Sequence, residues 1–314
     1  MRGFALFRII AFALMAVILF GILISALFGV SLFNRFSLSP VLSINPNWGV
    51  YNAVGTYSSG SSAVKAQDVR RINIDWVAGG VRIKPVSGSE IVFNETTNSV
   101  LTDESEKLHW RMDGDTLRIE YCAPGFRIGS WSTLNKGKML TVEIPESLYL
   151  DLINIDCVSA ELEIGELSAD KLDIEQVSGR ITISGGKYES IDLESISGRV
   201  DLTDVSAGKI DLDMVSGSST LSGEYLQIIS ESISGGIEVE TSILPKSVRI
   251  NTVSGKMALT IPENDGFSAR FDLVSGRVDS DFAMTSSSRE RDYKDGGPVY
   301  RFESISGSVS LRKG

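Results

Sequence analysis

A tripeptide of Val or Ile, then Ser, then Gly recurs along the second half of this 314-residue chain. Its eight copies have their serines at Ser159 (followed by alanine instead of glycine), Ser178, Ser197, Ser216, Ser234, Ser254, Ser275 and Ser306. Most steps lie close to 19 residues, and the last is 31 residues long. So regular a recurrence indicates a repeat architecture in which each copy is one structural unit.

Apolar and polar residues alternate on both sides of each serine. In the copy around Ser178, Leu172, Ile174 and Ile181 are separated by polar residues, and the other copies follow the same pattern. Alternation with a period of two predicts β-strands with one buried face. Val177 breaks this alternation, as does the Val or Ile before every other serine, so we expect the chain to bend there.

The repeat predicts an all-β fold, a parallel β-helix or β-solenoid built from coils of about 19 residues. Helical repeats have a different period, and the asparagine ladder and helix of a leucine-rich repeat are missing. A single coil cannot bury its apolar face, so stability must come from stacking one coil on the next. At about 4.8 Å per coil, eight coils would form a rod of roughly 40 Å.

The same template appears once before the regular repeats. Ile72–Ile83 fits it with Ala78 in the serine position, and we interpret this stretch as a first coil. The following residues are less regular and predict an irregular sheet or cap at one end of the rod. Strands are expected at Ile91–Asn94, Leu108–Met112, Leu117–Tyr121 and Met139–Ile144, with a hairpin at Asp113-Gly114 and, near the other end, a polar loop at Thr285–Gly297.

An uncharged apolar stretch near the N-terminus predicts a membrane anchor. Residues 9–30 contain no charged side chain, and about 20 apolar residues are enough to span a bilayer as a helix. The stretch is longer than the apolar region of a cleaved signal peptide, which is the alternative interpretation. Arg2 and Arg8 precede it and only Arg35 closely follows it, so the positive-inside rule predicts a cytoplasmic N-terminus.

These features divide the chain into four parts. Residues 1–8 form a cytoplasmic N-terminus, residues 9–30 a single transmembrane helix, and residues 31–66, which contain Pro40, Pro46 and a Ser/Gly run, a linker or stalk. Residues 67–314 form the β-solenoid, with an irregular first part at 67–150 and regular coils at 151–314. The predicted location is the cell membrane, with most of the chain outside the cytoplasm.

Charge and cysteine content exclude some classes of protein. The net charge is −10, and an acidic domain repels the phosphates of nucleic acids, so no DNA or RNA partner is expected. Cys122 and Cys157 are the only two cysteines, so the chain is not a disulfide-rich scaffold. They could form one bridge in an oxidising compartment or be two small buried side chains, and the sequence leaves both alternatives open.

Three stretches carry a resemblance to a known family. They are Leu140–Pro145, Val253–Pro262 with the following Gly266-Phe267, and the closing Phe302–Val309. In these stretches the chain resembles the bacterial putative-adhesin family of unknown function, whose domain contains β-strand repeats, and the resemblance extends from about residue 67 to the end. It implies a right-handed β-helix-like fold and no catalytic residues, and some relatives are associated with envelope-stress systems.

The outward positions carry a column of acids three residues before each serine. Its members are Asp156, Glu175, Glu194, Asp213, Glu231, Asn251, Asp272 and Glu303. Stacked acids repel one another, and Arg180, Arg199, Lys256 and Arg277, which stand two residues after a serine, could relieve this by ion pairing. A Ca²⁺ site is the alternative, because carboxylate oxygens suit this ion. Its candidate ligands, an acidic patch over three coils, are Asp173, Glu175, Asp192, Glu194, Asp211 and Asp213.

The column five residues before each serine changes sign along the chain. It begins its acidic part with Asp173, Asp192 and Asp211 and later holds Arg249, Arg270 and Arg301. The rod is therefore expected to be acidic toward the middle and basic toward its C-terminal end. This polarity could orient the association of rods or the docking of an acidic partner, or it could be drift on a solvated face.

Candidate catalytic residues all have simpler structural interpretations. His109 is the only histidine, and nothing near it resembles the elbow that presents a nucleophilic serine. The repeated serines are interpreted as structural, because a hydroxyl at a bend can bond to the backbone of a neighbouring coil. We therefore predict a protein that is not an enzyme and has no cofactor other than the Ca²⁺ considered above.

Three functions remain open at this level. The first is an envelope protein that presents its solenoid surface for adhesion or for binding another protein, a second copy of itself or a cell-wall polymer. The second is the ectodomain of an envelope-stress sensing system, which would need a partner in the membrane. The third is a β-helix enzyme acting on polysaccharide, against which the short loops between strands argue.

Overall fold

The computed structural model describes residues 56–101, 103–123, 137–286 and 290–314. The predicted transmembrane segment 9–30, the cytoplasmic residues 1–8 and most of the linker lie outside these ranges. Within the described ranges, no helix has both the length and the apolar character needed to cross a bilayer. The described residues are mostly β-strand, and the two helices among them are single 3₁₀ turns at Ala66–Asp68 and Glu104–Glu106.

All strands belong to one sheet that coils around the core. The strands are β1 (Ser58–Ser59), β2 (Ser62–Lys65), β3 (Arg71–Val86), β4 (Glu90–Thr96), β5 (His109–Asp113), β6 (Thr116–Glu120), β7 (Met139–Pro145), β8 (Leu150–Ile164), β9 (Ser168–Ser184), β10 (Lys187–Thr241), β11 (Ser247–Ile261), β12 (Gly266–Ser280), β13 (Met284–Ser286), β14 (Glu290–Lys294) and β15 (Val299–Lys313). The predicted all-β solenoid is confirmed.

Each regular rung from β8 onward lies within one continuous strand that bends at its Ser-Gly or Ser-Ala step. Ser159, Ser178 and Ser197 lie side by side in β8, β9 and β10, and the pairing is parallel. The bend was expected from the sequence, and pairing continues on both sides of it, so each of these rungs counts as a single strand. In β10 pairing also continues through the turns between coils, and this strand therefore runs for 55 residues.

The inward columns form the core, as the alternation predicts. Leu172, Ile174, Ile181 and Ile183 of β9 are each no more than 1% exposed, and their counterparts in the neighbouring rungs are buried in the same way. The inward position two residues before the serine is often polar. Gln176 occupies it in β9, where its side-chain amide nitrogen donates to the carbonyl oxygens of Ala160 at 2.6 Å and Ser178 at 2.7 Å, so the buried N–H groups of this side chain are satisfied.

The glycine of the repeat is required because rungs approach each other closely at the bend. At Gly217, φ is +134°, a conformation that side chains disfavour. A Cβ added there would overlap the carbonyl oxygen of Gly198 in the neighbouring rung. The same overlap recurs at the glycines of the other rungs, so the Ser-Gly column is a seam in which backbone lies against backbone.

The N-terminal end is closed by a rung made of two separate strands. β6 and β7 both pair in parallel with β3, one with each half of it, so β3 lies between this rung and β8. The antiparallel strands β5 and β4 then cover β6 and β7, and are followed by β1 and β2. The four predicted strands and the hairpin are confirmed, although two of those strands belong to the solenoid itself.

At the C-terminal end the stacking order departs from the sequence order. The last strand, β15, lies between β11 and β12 and pairs in parallel with both. The expectation that each coil stacks on the preceding one was therefore wrong here, since β12 is the outermost rung. The polar loop predicted at Thr285–Gly297 is instead largely the hairpin of β13 and β14, and β14 pairs with the first half of β12.

The two cysteines are separate buried thiols. Cys122 and Cys157 are each 1% exposed and form no disulfide with each other. Burial raises the pKa of both thiols, that of Cys122 to about 11. The buried-side-chain alternative from the sequence is the one that the structure contains.

Candidate functional site: an acidic ladder along the solenoid

The column of acids three residues before each serine forms one ladder on the outer surface. Asp156, Glu175 and Glu194 are direct neighbours across β8, β9 and β10, and Glu231, Asn251, Glu303 and Asp272 continue the column at the other end. At the N-terminal end it is extended by Asp75 of β3 and Glu120 of β6. We call this column the acidic ladder.

Ladder carboxyls resist ionisation because they are partly buried beside one another. Burial, followed by the charges of Asp211, Glu231 and Glu194, raises the pKa of Asp213 to about 7. Burial and the neighbouring carboxylates likewise raise the pKa of Glu194 to about 7. Desolvation and like charge both disfavour the carboxylate form, so these groups titrate near neutral pH instead of near pH 4.

Two rungs share a proton at the N-terminal side of the ladder. The carboxyl groups of Asp75 and Asp156 belong to directly neighbouring residues of β3 and β8. Burial raises the pKa of both, and a nearby acidic side chain raises each further, so the pair retains a proton that either carboxyl can donate to the other. Further out, the hydroxyl of Tyr57 donates to Glu120 at 2.6 Å. Hydrogen bonds thus replace some of the repulsion along the column.

The predicted pairing between these acids and the following basic residues was wrong. Arg180 lies 4.0 Å from Asp201, which is not a ladder residue. In the described part of the regular coils, the only ladder acid with an ion pair is Asp272, whose partner is Arg270 of the same strand. The bend turns residues after the serine onto another side of the solenoid, so the two columns do not meet.

A second acidic column is neutralised by lysines that the sequence pattern did not single out. Asp173 and Asp192 are direct neighbours five residues before their serines, and the Lys171 ammonium lies 2.8 Å from a carboxylate oxygen of each. The Lys209 ammonium lies 2.7 Å from a carboxylate oxygen of Asp211. Both lysines stand seven residues before a serine, an outward position by the same alternation, so the sequence did contain the signal.

The six residues predicted as Ca²⁺ ligands do share one face. Asp173 and Asp192 pair across β9 and β10, as do Glu175 and Glu194, and Asp211 and Asp213 follow one coil later. Among the residues that the structure describes, no group of three or more His, Cys, Asp or Glu side chains is arranged to hold a metal ion. The Ca²⁺ site stays a prediction from sequence.

Beside the acidic ladder runs a column of β-branched aliphatic side chains. It consists of the residue before each serine, and its members are Val158, Val177, Ile196, Val215, Ile233, Val253, Val274 and Ile305. All are partly exposed or exposed, because this position has the same parity as the ladder and points outward. We call this column the aliphatic stripe. In the sequence, these residues indicated only a bend.

The residues weighed as catalytic candidates have structural partners. A ring nitrogen of His109 lies 2.9 Å from the carbonyl oxygen of Lys107, within two residues along the chain. The hydroxyl of Ser178 donates to the carbonyl oxygen of Val158 at 3.4 Å, and Ser216 makes the same bond to Ile196. The expected bonds from repeat serines to the backbone of a neighbouring coil are confirmed at these positions.

Solved structures with similar folds include a putative adhesin from Bacteroides fragilis, with 10% identity and a TM-score of 0.47 over 82% of this chain and 97% of that one. A putative adhesin from Parabacteroides distasonis has 13% identity and a TM-score of 0.45 over 82% and 98%. A protein from the same species, described as a putative lipid binding protein, has 12% identity and a TM-score of 0.43 over 83% and 96%.

A comparison with curated proteins found no match. The family comparison is the decisive one, because it covers most of the chain. Residues 69–312 match the family described as Toastrack DUF4097, and the matched range includes all rungs of the solenoid from β3 to β15. This confirms the resemblance drawn from the repeats, and the chain belongs to the Toastrack DUF4097 family.

Proposed function

We propose that this protein is a non-enzymatic, membrane-anchored component of the cell envelope whose solenoid binds another macromolecule outside the cytoplasm. The observation that carries this proposal is the pairing of two continuous columns, the acidic ladder and the aliphatic stripe, along the same face. A surface that repeats its chemistry at each rung suits an extended partner, such as a cell-wall polymer or an elongated protein.

The connections between rungs support a binding role over catalysis. β8 and β9 are joined by residues 165–167, and β9 and β10 by residues 185–186. Enzymes that cleave polysaccharides on a β-helix place acids and a base in a groove built by long loops. Among the described residues, the ladder acids instead lie in a straight row on a sheet face.

Topology is the first part of the proposal to test. Both native cysteines are buried, so Val100→Cys, at an 83% exposed position, would supply an accessible thiol against a low background. In intact cells we expect a membrane-impermeant maleimide to label Val100→Cys, and to label Gly3→Cys only after the membrane is permeabilised. Protection of Val100→Cys in intact cells would contradict the proposed orientation.

Partner binding is tested separately with the full chain purified from native membranes under mild crosslinking. We expect an envelope polymer or a membrane protein to co-purify, and to be lost when Val177→Ser and Val215→Ser interrupt the aliphatic stripe. The matched control is Thr182→Ser, a partly exposed outward position of β9 away from the stripe. Equal recovery of the partner with the wild type, with the variant that carries Val177→Ser and Val215→Ser, and with the Thr182→Ser control would show that the partner binds elsewhere.

A second candidate function is the ectodomain of a sensing system. It is favoured by ladder carboxyls whose pKa lies near neutrality, because the charge of the solenoid face then changes with external pH. If this function is correct, a membrane partner should co-purify with the wild-type chain in amounts that differ between pH 6 and pH 8. The same amount of partner at both pH values would contradict it.

A further inference from the structure

The two ends of the solenoid are closed to different extents. At the N-terminal end, the antiparallel strands β5 and β4 cover both halves of the outermost rung, β6 and β7. At the C-terminal end, β14 pairs only with Gly266–Arg270 of β12. Among the described residues, the rest of β12, from Phe271 to Ser280, has a strand neighbour on one side only. We call this stretch the open edge.

Side chains along the open edge show that the core itself is incompletely covered there. Val278 is partly exposed, whereas Val309, its direct neighbour in β15, is fully buried. Leu273 is also partly exposed, and Val274 is 52% exposed. An edge strand with unpaired backbone groups and apolar side chains is a template for pairing with another strand. The open edge therefore has the properties of an interface.

The sequence of the open edge is complementary to itself in the antiparallel direction. With Val278 on a two-fold axis, Arg277 of one copy faces Asp279 of the second copy, and the reverse pair forms at the same time. Arg277 and Asp279 are both exposed and lie on one face of the strand, while Val278 lies on the other. Such a two-fold contact closes on itself and requires no further protein.

Neighbouring charges leave this pairing available. One carboxylate oxygen of Asp279 binds Arg312 at 2.6 Å, and the carboxylate also accepts from the backbone N–H of Ser280. An ionised carboxylate has about four lone-pair sites, so Asp279 can accept from a further donor. Within the described residues, Arg277 has no ion pair within 4 Å. Opposite charges placed directly across two antiparallel strands stabilise the pairing, whereas like charges there are destabilising.

We propose that two copies of this protein associate through the open edges of β12, which pair antiparallel around Val278. Within the open edges the paired segment is Gly276–Ser280 of each copy, and the contact brings the two Val278 side chains together. The strand that pairs is short, so the association is reversible and depends on protein concentration. The inference depends only on described residues and does not require a membrane anchor.

The arrangement has a consequence for the whole molecule. The open edge is at the end of the solenoid opposite to β1 and β2, so the two N-terminal ends point away from each other in the dimer. If the anchors are as proposed above, each dimer would connect two membranes that face each other. Only this consequence depends on the proposed function.

The test uses charge reversal, measured by analytical ultracentrifugation of the full chain in detergent. Arg277→Asp places two acids against each other, and Asp279→Arg places two bases, so each variant should raise the dimer dissociation constant about tenfold or more. Mixing the two variants restores both opposite pairs, and heterodimers should then form with an affinity near that of the wild type. The double variant Arg277→Asp/Asp279→Arg should also self-associate.

The matched control is Arg199→Asp, which reverses a charge at the equivalent position of an interior rung and should leave association unchanged. Circular dichroism before each run confirms that all variants are folded. A wild-type chain that stays monomeric at roughly 1 mM would overturn the proposal. Self-association of the single variants that is as strong as that of the wild type would also overturn the proposal. So would failure of the mixture to form heterodimers.

Discussion

Asp213→Asn tests the physical account of the acidic ladder most directly. The substitution keeps the shape of the side chain and removes a charge that burial and four neighbouring carboxylates disfavour. The ladder already contains an amide at Asn251, whose side-chain nitrogen lies 3.3 Å from a carboxylate oxygen of Glu231, so the column accommodates this chemistry. We expect the variant to be more stable than the wild type at pH 8.

The magnitude follows from the difference between the native and unfolded pKa values. The pKa of Asp213 is about 7 in the folded protein. An unfolded chain ionises near 3.9, and each pH unit corresponds to about 1.4 kcal/mol, so the upper limit is about 4 kcal/mol. The side chain keeps some contact with solvent, which screens the repulsion, and we therefore expect a gain of about 2 kcal/mol for Asp213→Asn at pH 8.

The sign of the pH dependence follows from the raised pKa. A carboxyl with a raised native pKa contributes stability that is fully present below about pH 4 and is lost as the pH rises through about 7. The contribution of Asp213 to the free energy of unfolding should therefore be more favourable at pH 5 than at pH 8. The advantage of Asp213→Asn should shrink as the pH falls and vanish near pH 4.

Urea unfolding of the detergent-solubilised full chain, followed by circular dichroism between pH 5 and pH 8, measures this effect. Asp201→Asn removes a charge from an outward position off the ladder, and we expect it to change stability by less than about 0.5 kcal/mol at every pH. Asn251→Asp adds an acid to the column and should destabilise the protein at pH 8 but much less at pH 5. A pH-independent effect of Asp213→Asn, or none at pH 8, would refute the reasoning.

Two further substitutions probe the seam and the N-terminal end. Gly235→Ala places a Cβ against the carbonyl oxygen of Gly217 and should lower the free energy of unfolding by more than about 2 kcal/mol. Gly236→Ala, one residue later, brings its Cβ no closer than 3.7 Å to the carbonyl oxygen of Lys256 and should be tolerated, so equal effects of the two variants in urea titrations would contradict the close approach at Gly235. Lys138→Met leaves Glu95 as a buried charge without its partner and should cost about 3–5 kcal/mol, while the double variant with Glu95→Gln should recover most of this in the same assay.

Local features of the fold could be read from the sequence because they are encoded within one coil. The alternation around each serine defines which side chains point inward, and this parity depends only on strand geometry, so the buried columns of β8 to β11 were predicted correctly. The role of glycine was only partly predicted. A turn preference can be inferred from residue type, but the overlap of Gly217 with Gly198 depends on the distance between two rungs.

The electrostatics of the candidate site were predicted in position but not in character. Stacking the acids in one column follows from the repeat, and the sequence therefore identified Glu175, Glu194 and Asp213 as neighbours. Their pKa values depend on how far burial removes each carboxyl from water and on which cations can reach it. The bend keeps Arg180 away from the ladder and beside Asp201, and Lys171 binds Asp192 of the next coil. Each of these contacts joins residues about one coil apart, so neither is local in sequence.

The sequence by itself determined the all-β class, the coil length, the inward columns and the family of this protein. Only the tertiary structure decided the order in which the coils stack: β15 lies between β11 and β12, and β6 with β7 forms a rung outside β3. The physical reason is that every coil presents nearly the same edges and columns to its neighbours. Local pattern cannot specify which of these equivalent edges will meet. Among the described residues, the long-range pairing that selects among them also leaves half of β12 with a strand neighbour on one side only.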